Sequence, residues 1–315
     1  MSKKRKLNIY CTYNESNLPI PKSPISYPTK DPTDLKFIAW NVASLRTLVS
    51  NRSDLLAKLW LNEAPAVLGL LETKISEKDE STIETQVRKI LHSPKNDLGI
   101  IFNHSTTKKG YSGTMLIYDR KKVGEISDRS FSIDHPLDKE GRVISGFFPE
   151  IAMHVVLCYS PNSGQKLERL SDRTKGDDSF DVKLAQHCRN KIRPVVLIGD
   201  LNVAVEDEDI YNVDAAHIAK SAGTTAEERQ SFRDNFGVFI DAFRLKHREV
   251  TGWFSYWSVR AGNVSRNRGL RLDYALLCNG DASMVKDGFI LAEFAPQGDH
   301  CPVGLTLEGK LTAPL

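Results

Sequence analysis

The sequence predicts an α/β protein in which helices and mixed β-sheets form layers. Short apolar runs typical of buried strands recur along the chain, and stretches with apolar residues at helical spacing separate them. Several of these runs lie close enough in sequence to pair as antiparallel hairpins. Hairpins combined with crossover helices indicate sheets that contain both parallel and antiparallel strands.

Four of the apolar runs end abruptly in polar residues. They occupy residues 35–41, 66–74, 155–162 and 195–202, and each closes with groups that can bind a metal or a phosphate. One such ending is ordinary, because Asn and Asp favour the turn that follows a strand. Four of them predict a shared site where the strands end, since α/β sheets place their chemistry at carboxyl ends of strands.

The remaining elements follow from local patterns. Two hairpins are predicted, residues 99–102 with 113–118 and residues 143–148 with 151–159. Helical spacing covers residues 53–61, and a broken helical region covers residues 166–173 and 180–188. Thr225 followed three residues later by Glu228 fits a capping box at the start of a further helix.

Composition narrows the class of protein. The chain has 315 residues and 40% hydrophobic content, which suits one large core. Its five cysteines show no Cys-x-x-Cys spacing, which argues against a disulfide framework or a zinc site and favours a reducing compartment. No apolar run approaches the roughly 20 residues that span a membrane, and we expect no membrane association.

Residues 1–34 differ from the rest of the chain. They contain five of the 14 prolines, and residues 1–30 hold six basic residues against Glu15. We expect a disordered basic arm, followed by one folded domain over residues 35–315. The cluster Lys3-Lys4-Arg5-Lys6 is either a nuclear localisation signal or a solvated basic terminus. The expected compartment is the nucleus, with the cytoplasm or an organelle as the alternative.

Carboxylates and amides supply the chemistry at the strand ends. Asp200 and Asn202 are two residues apart, so in an extended chain they point the same way and can hold and activate a water. Glu72 offers a hard oxygen ligand of the kind that Mg²⁺ prefers, and Asn41 is a second ligand or an orienting group. The alternative for Glu72 is an exposed carboxylate beside Lys74.

An acidic residue inside a strand predicts a buried pair. Asp273 lies in an apolar run, where an unpaired carboxylate would cost several kcal/mol. His300 is a plausible partner, and an Asp–His pair suits a base or a cation that stabilises phosphate. A lone histidine at this position would more simply be a structural hydrogen-bonding group.

Taken together, these motifs resemble the exonuclease III family of abasic-site (AP) endonucleases, within the endonuclease/exonuclease/phosphatase superfamily. The resemblance covers residues 35–307. Its carriers are Trp40-Asn41-Val42, Leu71-Glu72-Thr73-Lys74, Gly110-Tyr111-Ser112-Gly113, Glu140-Gly141-Arg142-Val143, Tyr159-Ser160-Pro161-Asn162, Gly199-Asp200-Leu201-Asn202, Glu228-Arg229-Gln230, Arg271-Leu272-Asp273-Tyr274 and Asp299-His300-Cys301-Pro302.

The resemblance implies a four-layer α/β sandwich with two central mixed β-sheets flanked by helices. It implies that Glu72 binds a catalytic Mg²⁺, with Mn²⁺ as a substitute, and that Asn41 and Asp299 help to place the ion. The implied catalytic residues are Asp200, Asn202, His300, Asp273, Tyr159 and Asn162. In these roles Asp200 activates or orients the attacking water and Asn202 fixes it. His300, held by Asp273, contacts the scissile phosphate. Tyr159 and Asn162 hold phosphate oxygens or the leaving group.

Substrate contacts are implied at separate positions. Lys74, Tyr111, Arg142 and Arg173 match positions that contact or flank the DNA backbone, with surface ion pairs as the alternative for the two arginines. A pocket for the extruded abasic sugar is implied by Phe254, Tyr256, Trp257 and Leu270. Core packing is the alternative for Phe254 and Trp257.

Three departures from the family's pattern affect the expected site. Ala43-Ser44 stands where the family has Asp-Gly or Asn-Gly, Leu71 replaces a usual Gln, and Leu270 stands where many eukaryotic relatives carry Trp. Ala43-Ser44 lacks a polar group that the family has near the metal. Leu270 predicts a looser pocket for the abasic sugar.

The function implied by the resemblance is hydrolysis of the phosphodiester 5′ to abasic sites, with 3′-phosphodiesterase and 3′–5′ exonuclease side activities. The expected partner is double-stranded DNA with abasic sites or blocked 3′ ends, bound by a monomer whose N-terminal arm contacts repair proteins. The alternatives are a same-fold nuclease acting on undamaged nucleic acid and a catalytically dead DNA-binding relative.

Overall fold

Two β-sheets stacked face to face form the centre of the molecule. The structure, a computed structural model, describes residues 25–258 and 262–309, and the side chains of residues 295–297 are left aside. The strands are β1 (Leu35–Asn41), β2 (Val67–Leu71), β3 (Leu98–Asn103), β4 (Thr114–Asp119), β5 (Ser127–Ser130), β6 (Val143–Phe148), β7 (Met153–Tyr159), β8 (Val195–Asp200), β9 (Ile240–Asp241), β10 (Asp273–Cys278), β11 (Val285–Ile290) and β12 (Val303–Leu307). The helices are α1 (Leu45–Asn51), α2 (Ser53–Glu63), α3 (Glu80–Ile90), α4 (Arg120–Val123), α5 (Leu170–Thr174), α6 (Phe180–Arg189), α7 (Ala226–Phe236) and α8 (Ala242–Lys246).

Within the described ranges, each sheet has six strands. The first runs β11-β12-β1-β2-β4-β3 and the second runs β5-β6-β7-β8-β10-β9. Helices α1, α2 and α3 cover the outer face of the first sheet, and α6 and α7 cover that of the second. The predicted four-layer α/β sandwich with mixed sheets is therefore confirmed, as are both predicted hairpins.

The two parallel strand pairs lie at the centre of the sheets, and they carry the polar endings seen in the sequence. Strand β1 pairs with β2, so that Asn41 lies opposite Leu71 and next to Glu72. Strand β7 pairs with β8, so that Tyr159 lies opposite Asp200. Parallel pairing explains why all of these endings meet at one edge of the sandwich, because both strands of such a pair end on the same side.

Close packing of the sheets depends on a glycine in β2. A Cβ atom on Gly69 would lie 2.2 Å from Cδ1 of Leu157 in the facing sheet. The core between the sheets is built from side chains such as Phe37, Leu71 and Ile198, which are fully buried. Any larger residue at position 69 would therefore force the Leu157 side chain to shift within the packed core between the sheets.

The helix starting at Ala226 begins with the predicted capping box. The Thr225 hydroxyl accepts the backbone N–H of Glu228 at 3.2 Å and donates to the Glu228 carboxylate at 2.8 Å.

Within the described part of the chain, no helix has both the length and the apolar character needed to cross a membrane.

The predicted disordered arm over residues 1–34 needs correction at its boundary. Residues 25–34 lie on the folded body, where Ile25 is buried and the Tyr27 hydroxyl donates to the carbonyl of Ile290 at 3.1 Å. The Tyr27 ring also packs edge-on against Phe289. Residues 1–24, including the basic cluster at residues 3–6, lie outside the described residues.

We predict that Tyr27→Ala lowers the free energy of unfolding by about 2–3 kcal/mol, because it removes a ring packed against the body. Tyr27→Phe keeps the ring and loses the hydroxyl, which donates to the carbonyl of Ile290 and accepts its N–H at 3.4 Å, so its cost should be about 1–2 kcal/mol. Urea unfolding of the full chain measures both values. Equal stability of the wild type and Tyr27→Ala would show that this segment does not hold to the body.

Candidate active site

The carboxamide of Asn41 joins the two sheets at their polar edge. Its Nδ2 donates to Glu72 Oε1 at 3.0 Å and to Asp200 Oδ2 at 3.0 Å. Asn41 and Glu72 belong to the first sheet, whereas Asp200 ends a strand of the second. Asn41 is only 1% exposed, so these hydrogen bonds are shielded from water. One amide therefore holds the two carboxylates close together at a fixed separation.

Backbone strain is concentrated around this junction. Ala43, Glu72, Lys74 and Asn202 all have φ between 51° and 55°, in the left-handed region that residues other than glycine seldom adopt. Each such residue costs on the order of 1–3 kcal/mol, and such strain clusters at functional sites. The strained backbone places the Glu72 and Asn202 side chains where the strands end.

Asp200 is a buried carboxylate with a perturbed proton affinity. It lies opposite Asp273 in the β8–β10 register, and its Oδ1 accepts the N–H of Asn202 at 2.9 Å. Burial and the neighbouring Asp273 carboxylate raise the pKa of Asp200 to about 7, although His300 and Asn41 favour its charged form. A carboxylate with a pKa near neutrality is suited to accept a proton from water.

Asp273 and His300 form the pair that the sequence predicted. His300 Nδ1 lies 2.7 Å from Asp273 Oδ2, and both residues are buried. Burial lowers the pKa of His300, but Asp273 and Asp200 outweigh it and raise the value to about 10. The ring is therefore an imidazolium at neutral pH.

The cluster of Asp200, Asp273 and His300 has the compactness of a metal site, with candidate ligand atoms within 4.8 Å of one another. The protonation state of His300 argues against that use. An imidazolium carries a proton on each nitrogen and has no lone pair to offer a metal. The arrangement is better suited to binding a phosphate oxygen through Nε2, which lies 3.8 Å from Asp200 Oδ2.

Two asparagine amides continue the polar edge on the second sheet. Asn202 donates to the carbonyl of Ser160 at 2.9 Å and accepts from Asn162 Nδ2 at 3.0 Å. Asn202 is buried and Asn162 is exposed. The buried amide thus fixes the orientation of the exposed one.

Tyr159, at the end of β7, presents a protonated hydroxyl. Burial and then the Glu72 carboxylate raise the pKa of Tyr159 well above its usual range. The Arg142 guanidinium lies over the Tyr159 ring, 4.8 Å from its centre, and this cation–π contact holds the ring in place. Tyr159 can therefore act as a hydrogen-bond donor beside Glu72.

The prediction that Arg173 contacts DNA is wrong, because Arg173 lies inside the protein. Its side chain is 1% exposed, and its guanidinium donates to the carbonyls of Leu201 and Asn202, the latter at 2.7 Å. It also lies 3.4 Å from the carboxylates of Asp181 and Glu228. Arg173 supports the turn that carries Asp200 and Asn202.

Glu228 extends this buried support to the next loop, a role that sequence reasoning missed. The hydroxyl of Ser163 donates to its carboxylate at 2.5 Å, and the N–H of Gly223 donates at 2.8 Å. The available signal was the capping box itself, which identified Glu228 as a helix-start residue. Its second contact, to Ser163, ties the loop after Asn162 to the same helix.

Arg142 also requires a correction, from a DNA contact to a positioning residue. It is 1% exposed, and its nitrogens donate to Glu140 Oε2 at 2.7 Å, to the Tyr159 carbonyl at 2.9 Å and to the Tyr111 hydroxyl at 3.0 Å. Tyr111 is half-buried and remains available at the rim. Arg142 orients Tyr111 without reaching the surface itself.

Arg169 is a rim cation that the sequence did not single out. It binds both oxygens of Glu140, at 2.9 and 3.0 Å, and its side chain is 30% exposed. Arg169 and Lys108 both lie within 6 Å of the centre of the Tyr111 ring. The predicted helical region over residues 166–173 contains Arg169, but helical spacing alone does not show which of its side chains faces the Tyr111 ring.

The predicted pocket residues separate into two pairs. Tyr256 and Leu270 line a cleft of about 330 Å³, and the Tyr256 ring centre lies 4.9 Å from that of His300. Phe254 and Trp257 are buried in the core below, and the Trp257 indole donates to Asn267 at 3.0 Å. For Trp257 the pocket prediction is therefore wrong and the core-packing alternative holds, whereas Phe254, although buried, lines a separate cavity with Tyr211 and Asn267.

A buried ion network anchors the base of this cleft. Asp209 is fully buried and pairs with Arg271, whose Nε lies 2.8 Å from Oδ1, and with Arg244. Although burial raises the pKa of Asp209, the two guanidinium groups hold it down to about 2. Arg271 follows directly after Leu270, so the network fixes that residue at the cleft wall.

The residues around Glu72 fit a hard divalent cation. Glu72 and Asp200 supply carboxylate oxygens there, which Asn41 holds together through its Nδ2, and oxygen ligands are those that Mg²⁺ prefers. Burial and then Asp299 raise the pKa of Tyr256, which places the Asp299 carboxylate on the same side of the cleft. The Lys74 ammonium lies 2.7 Å from Glu72 Oε2, so this carboxylate already attracts a cation.

Comparison with known proteins agrees with this geometry. Residues 38–291 match the model of the endonuclease/exonuclease/phosphatase family, and the chain belongs to that family. Within it, the chain is an exonuclease III-like AP endonuclease. An exodeoxyribonuclease of Bacillus subtilis is 33% identical, over 87% of this chain and 99% of the relative.

A DNA repair nuclease of Danio rerio, APEX1, is 32% identical over 91% of this chain and 89% of the relative. The solved structure of the AP endonuclease LMAP from Leishmania major superposes with a TM-score of 0.78 at 29% identity, covering 91% of this chain and 92% of that one.

We predict that Arg173→Met lowers the free energy of unfolding by about 3–5 kcal/mol, because it leaves two buried carboxylates without their cation. The matched control is Arg46→Met, since Arg46 is 55% exposed and pairs with Asp79 on the surface. That variant should unfold at nearly the wild-type urea concentration. If Arg173→Met were as stable as the control variant, the structural role assigned to Arg173 would be wrong.

The Asp209 network predicts an acid-sensitive contribution to stability. Because the folded pKa of about 2 is below the unfolded value of about 4, the contribution is complete above pH 4 and disappears as the pH falls toward 2. Its size is about 2 kcal/mol. Unfolding experiments at pH 5, 4 and 3 should show a steeper loss for the wild type than for Asp209→Asn, and parallel curves would refute this assignment.

Proposed function

We propose that this protein is a Mg²⁺-dependent DNA repair endonuclease that hydrolyses the phosphodiester 5′ to abasic sites. The products would be a 3′-hydroxyl and a 5′-deoxyribose phosphate. The observation that carries the proposal is the Asn41 junction, which holds Glu72 and Asp200 together beside the Asp273–His300 pair. This arrangement combines a carboxylate for a cation, a carboxylate for a water and a fixed positive charge for a phosphate.

Asp200 is proposed to activate the water. Its raised pKa favours proton transfer from a water that attacks phosphorus, and its Oδ1 is held by the Asn202 N–H. The Asn202 side chain is fixed by Ser160 and Asn162, so the water would meet an ordered polar surface. The proton passes to the carboxylate as the new P–O bond forms and the bond to the 3′ oxygen breaks, and that oxygen takes up a proton from solvent water to become the 3′-hydroxyl.

His300, Tyr159 and Asn162 are proposed to stabilise the added negative charge. The imidazolium, the hydroxyl and the exposed amide can each donate a hydrogen bond to a phosphate oxygen or to the leaving oxygen. Donors that are held in place before the reaction stabilise developing charge without reorganisation. Asp273 keeps His300 charged and oriented throughout.

A divalent ion held by Glu72, with Asn41 and Asp299 nearby, would supply Lewis-acid stabilisation of the phosphate and the leaving oxygen. The identity of that ion as Mg²⁺, with Mn²⁺ as a substitute, is part of the proposal. It is supported by the all-oxygen character of the surrounding donors.

Selection of abasic sites is proposed to occur in the cleft beside His300. Tyr256 and Leu270 line this cleft and would contact a sugar that is extruded from the duplex. Flipping a nucleotide out of the duplex costs least where no base is stacked. Lys74 and Tyr111 would hold the DNA backbone, as the sequence predicted, and Arg169 would join them at the rim.

Removal of blocking groups from 3′ ends is proposed as a side activity. Leu270 is only partly buried and leaves its side of the cleft open. A frayed 3′ terminus could enter such a cleft without a rigid aromatic wall opposing it. Location in the nucleus, through the basic cluster at residues 3–6, and contacts with repair proteins through the N-terminal arm are also proposed.

The first test is cleavage of a labelled duplex that contains one abasic-site analogue, beside an intact duplex of the same sequence. We expect one cut immediately 5′ to the lesion with Mg²⁺, and none with EDTA. Equal cutting of both duplexes would favour a general nuclease. Binding of the abasic duplex without any cleavage would favour a catalytically dead relative.

The assigned roles are tested by Asp200→Asn and His300→Ala. Each should lower the single-turnover cleavage rate by about 10²–10⁴-fold, because each removes a proton acceptor or a fixed charge at the reacting phosphate. His247→Ala is the matched control, since His247 pairs with Asp287 at 3.0 Å away from the cleft. A wild-type rate in either site variant would contradict the mechanism.

A further inference from the structure

Both oxygens of the Glu72 carboxylate are occupied by groups from the chain itself. Asn41 donates to Oε1 at 3.0 Å, and the Lys74 ammonium lies 2.7 Å from Oε2. The Lys74 side chain is 36% exposed and that of Glu72 is 19% exposed. The ion pair therefore lies at the mouth of the site, where a cation enters from solvent.

We infer that Lys74 is a built-in competitor for the divalent ion: its ammonium neutralises Glu72 in the metal-free protein and leaves the carboxylate when a divalent cation binds. This inference rests on the metal site of the proposed function. The two cations cannot share Oε2 without strong repulsion at contact distance. Metal binding therefore requires the Lys74 side chain to move.

The geometry allows the side chain to move while the backbone stays fixed. Lys74 has φ of 52°, its N–H donates to the carbonyl of Ser112 at 2.9 Å, and the N–H of Thr73 donates to that of Gly113 at 3.1 Å. These contacts hold the backbone on the adjacent loop. The flexible four-carbon stem of lysine, by contrast, can swing outward at the cost of one partly exposed ion pair.

The exchange would couple metal binding to DNA binding. In the metal-free state, the Lys74 ammonium forms an ion pair with the Glu72 carboxylate. Once released, the same ammonium is free at the edge of the cleft, where it can bind a phosphate of the DNA backbone. Loading of the site would thereby create one additional contact for the substrate strand.

The first experiment measures Mn²⁺ binding to the free protein by electron paramagnetic resonance, without DNA. Lys74→Met removes the competing charge while keeping a similar stem, so we expect affinity to rise by about three- to fivefold, the upper part of the range for loss of a partly exposed ion pair. Lys74→Arg, which keeps the charge, and Lys30→Met, which removes a paired lysine at Glu63, should stay within about twofold of the wild type.

Unchanged or weaker Mn²⁺ binding by Lys74→Met would overturn the inference. An equal gain in Lys30→Met would also overturn it, because the effect would then reflect net charge alone.

The second experiment separates displacement from simple charge repulsion. Lysines of the wild-type protein are acylated in EDTA or in excess Ca²⁺, and the extent at each position is read by mass spectrometry. Displacement predicts that Ca²⁺ increases the labelling of Lys74 relative to Lys30. Unchanged or reduced labelling of Lys74 would show that the ammonium stays on Glu72, and the inference would fail.

Both experiments omit DNA, so their outcomes are independent of the cleavage assay. Cleavage of abasic DNA by a protein that shows no exchange at Lys74 would remove this inference and leave the proposed function intact. Exchange at Lys74 in a protein that does not cleave abasic DNA would remove the proposed function and leave the exchange at Lys74 intact.

Discussion

The Asn41 carboxamide is the contact on which the organisation of the site depends. Glu72 and Asp200 belong to different sheets, and their like charges repel at close range. A neutral amide that donates one hydrogen to each carboxylate brings them together without neutralising either. A lysine at this position would occupy the cation site, and an aspartate would add a third negative charge. The asparagine side chain avoids both effects, because it is neutral and donates a hydrogen to each carboxylate.

Around this junction, the protein uses buried charge to fix atoms that face solvent. Arg173 holds the carbonyls of Leu201 and Asn202, and Arg142 holds Tyr111 and the carbonyl of Tyr159. Each guanidinium is paired with at least one carboxylate, which offsets the cost of burial. The strained backbone at the strand ends persists because this surrounding structure holds it. The site is thus ordered before substrate arrives, as electrostatic catalysis requires.

Much of this arrangement could be predicted from the sequence, because strand ends and buried pairs leave local signals. Apolar runs that close in Asn or Asp located the site edge, and an acid inside an apolar strand required the partner that His300 provides. The burial of Arg142 and Arg173 could not be predicted, since an arginine in a loop has the same local pattern whether it faces solvent or the core. For Trp257 the sequence left pocket and core as alternatives, and for Arg169 helical spacing did not show which way the side chain faces.

The central claim is that the Asn41 amide aligns two carboxylates across the sheets. The most direct measurement is the single-turnover cleavage rate of Asn41→Ala on an abasic duplex at saturating Mg²⁺, with folding verified by urea unfolding. We expect a loss of about 100-fold or more in a folded protein, because Glu72 and Asp200 lose their shared donor. A folded variant that cleaves at the wild-type rate would contradict it.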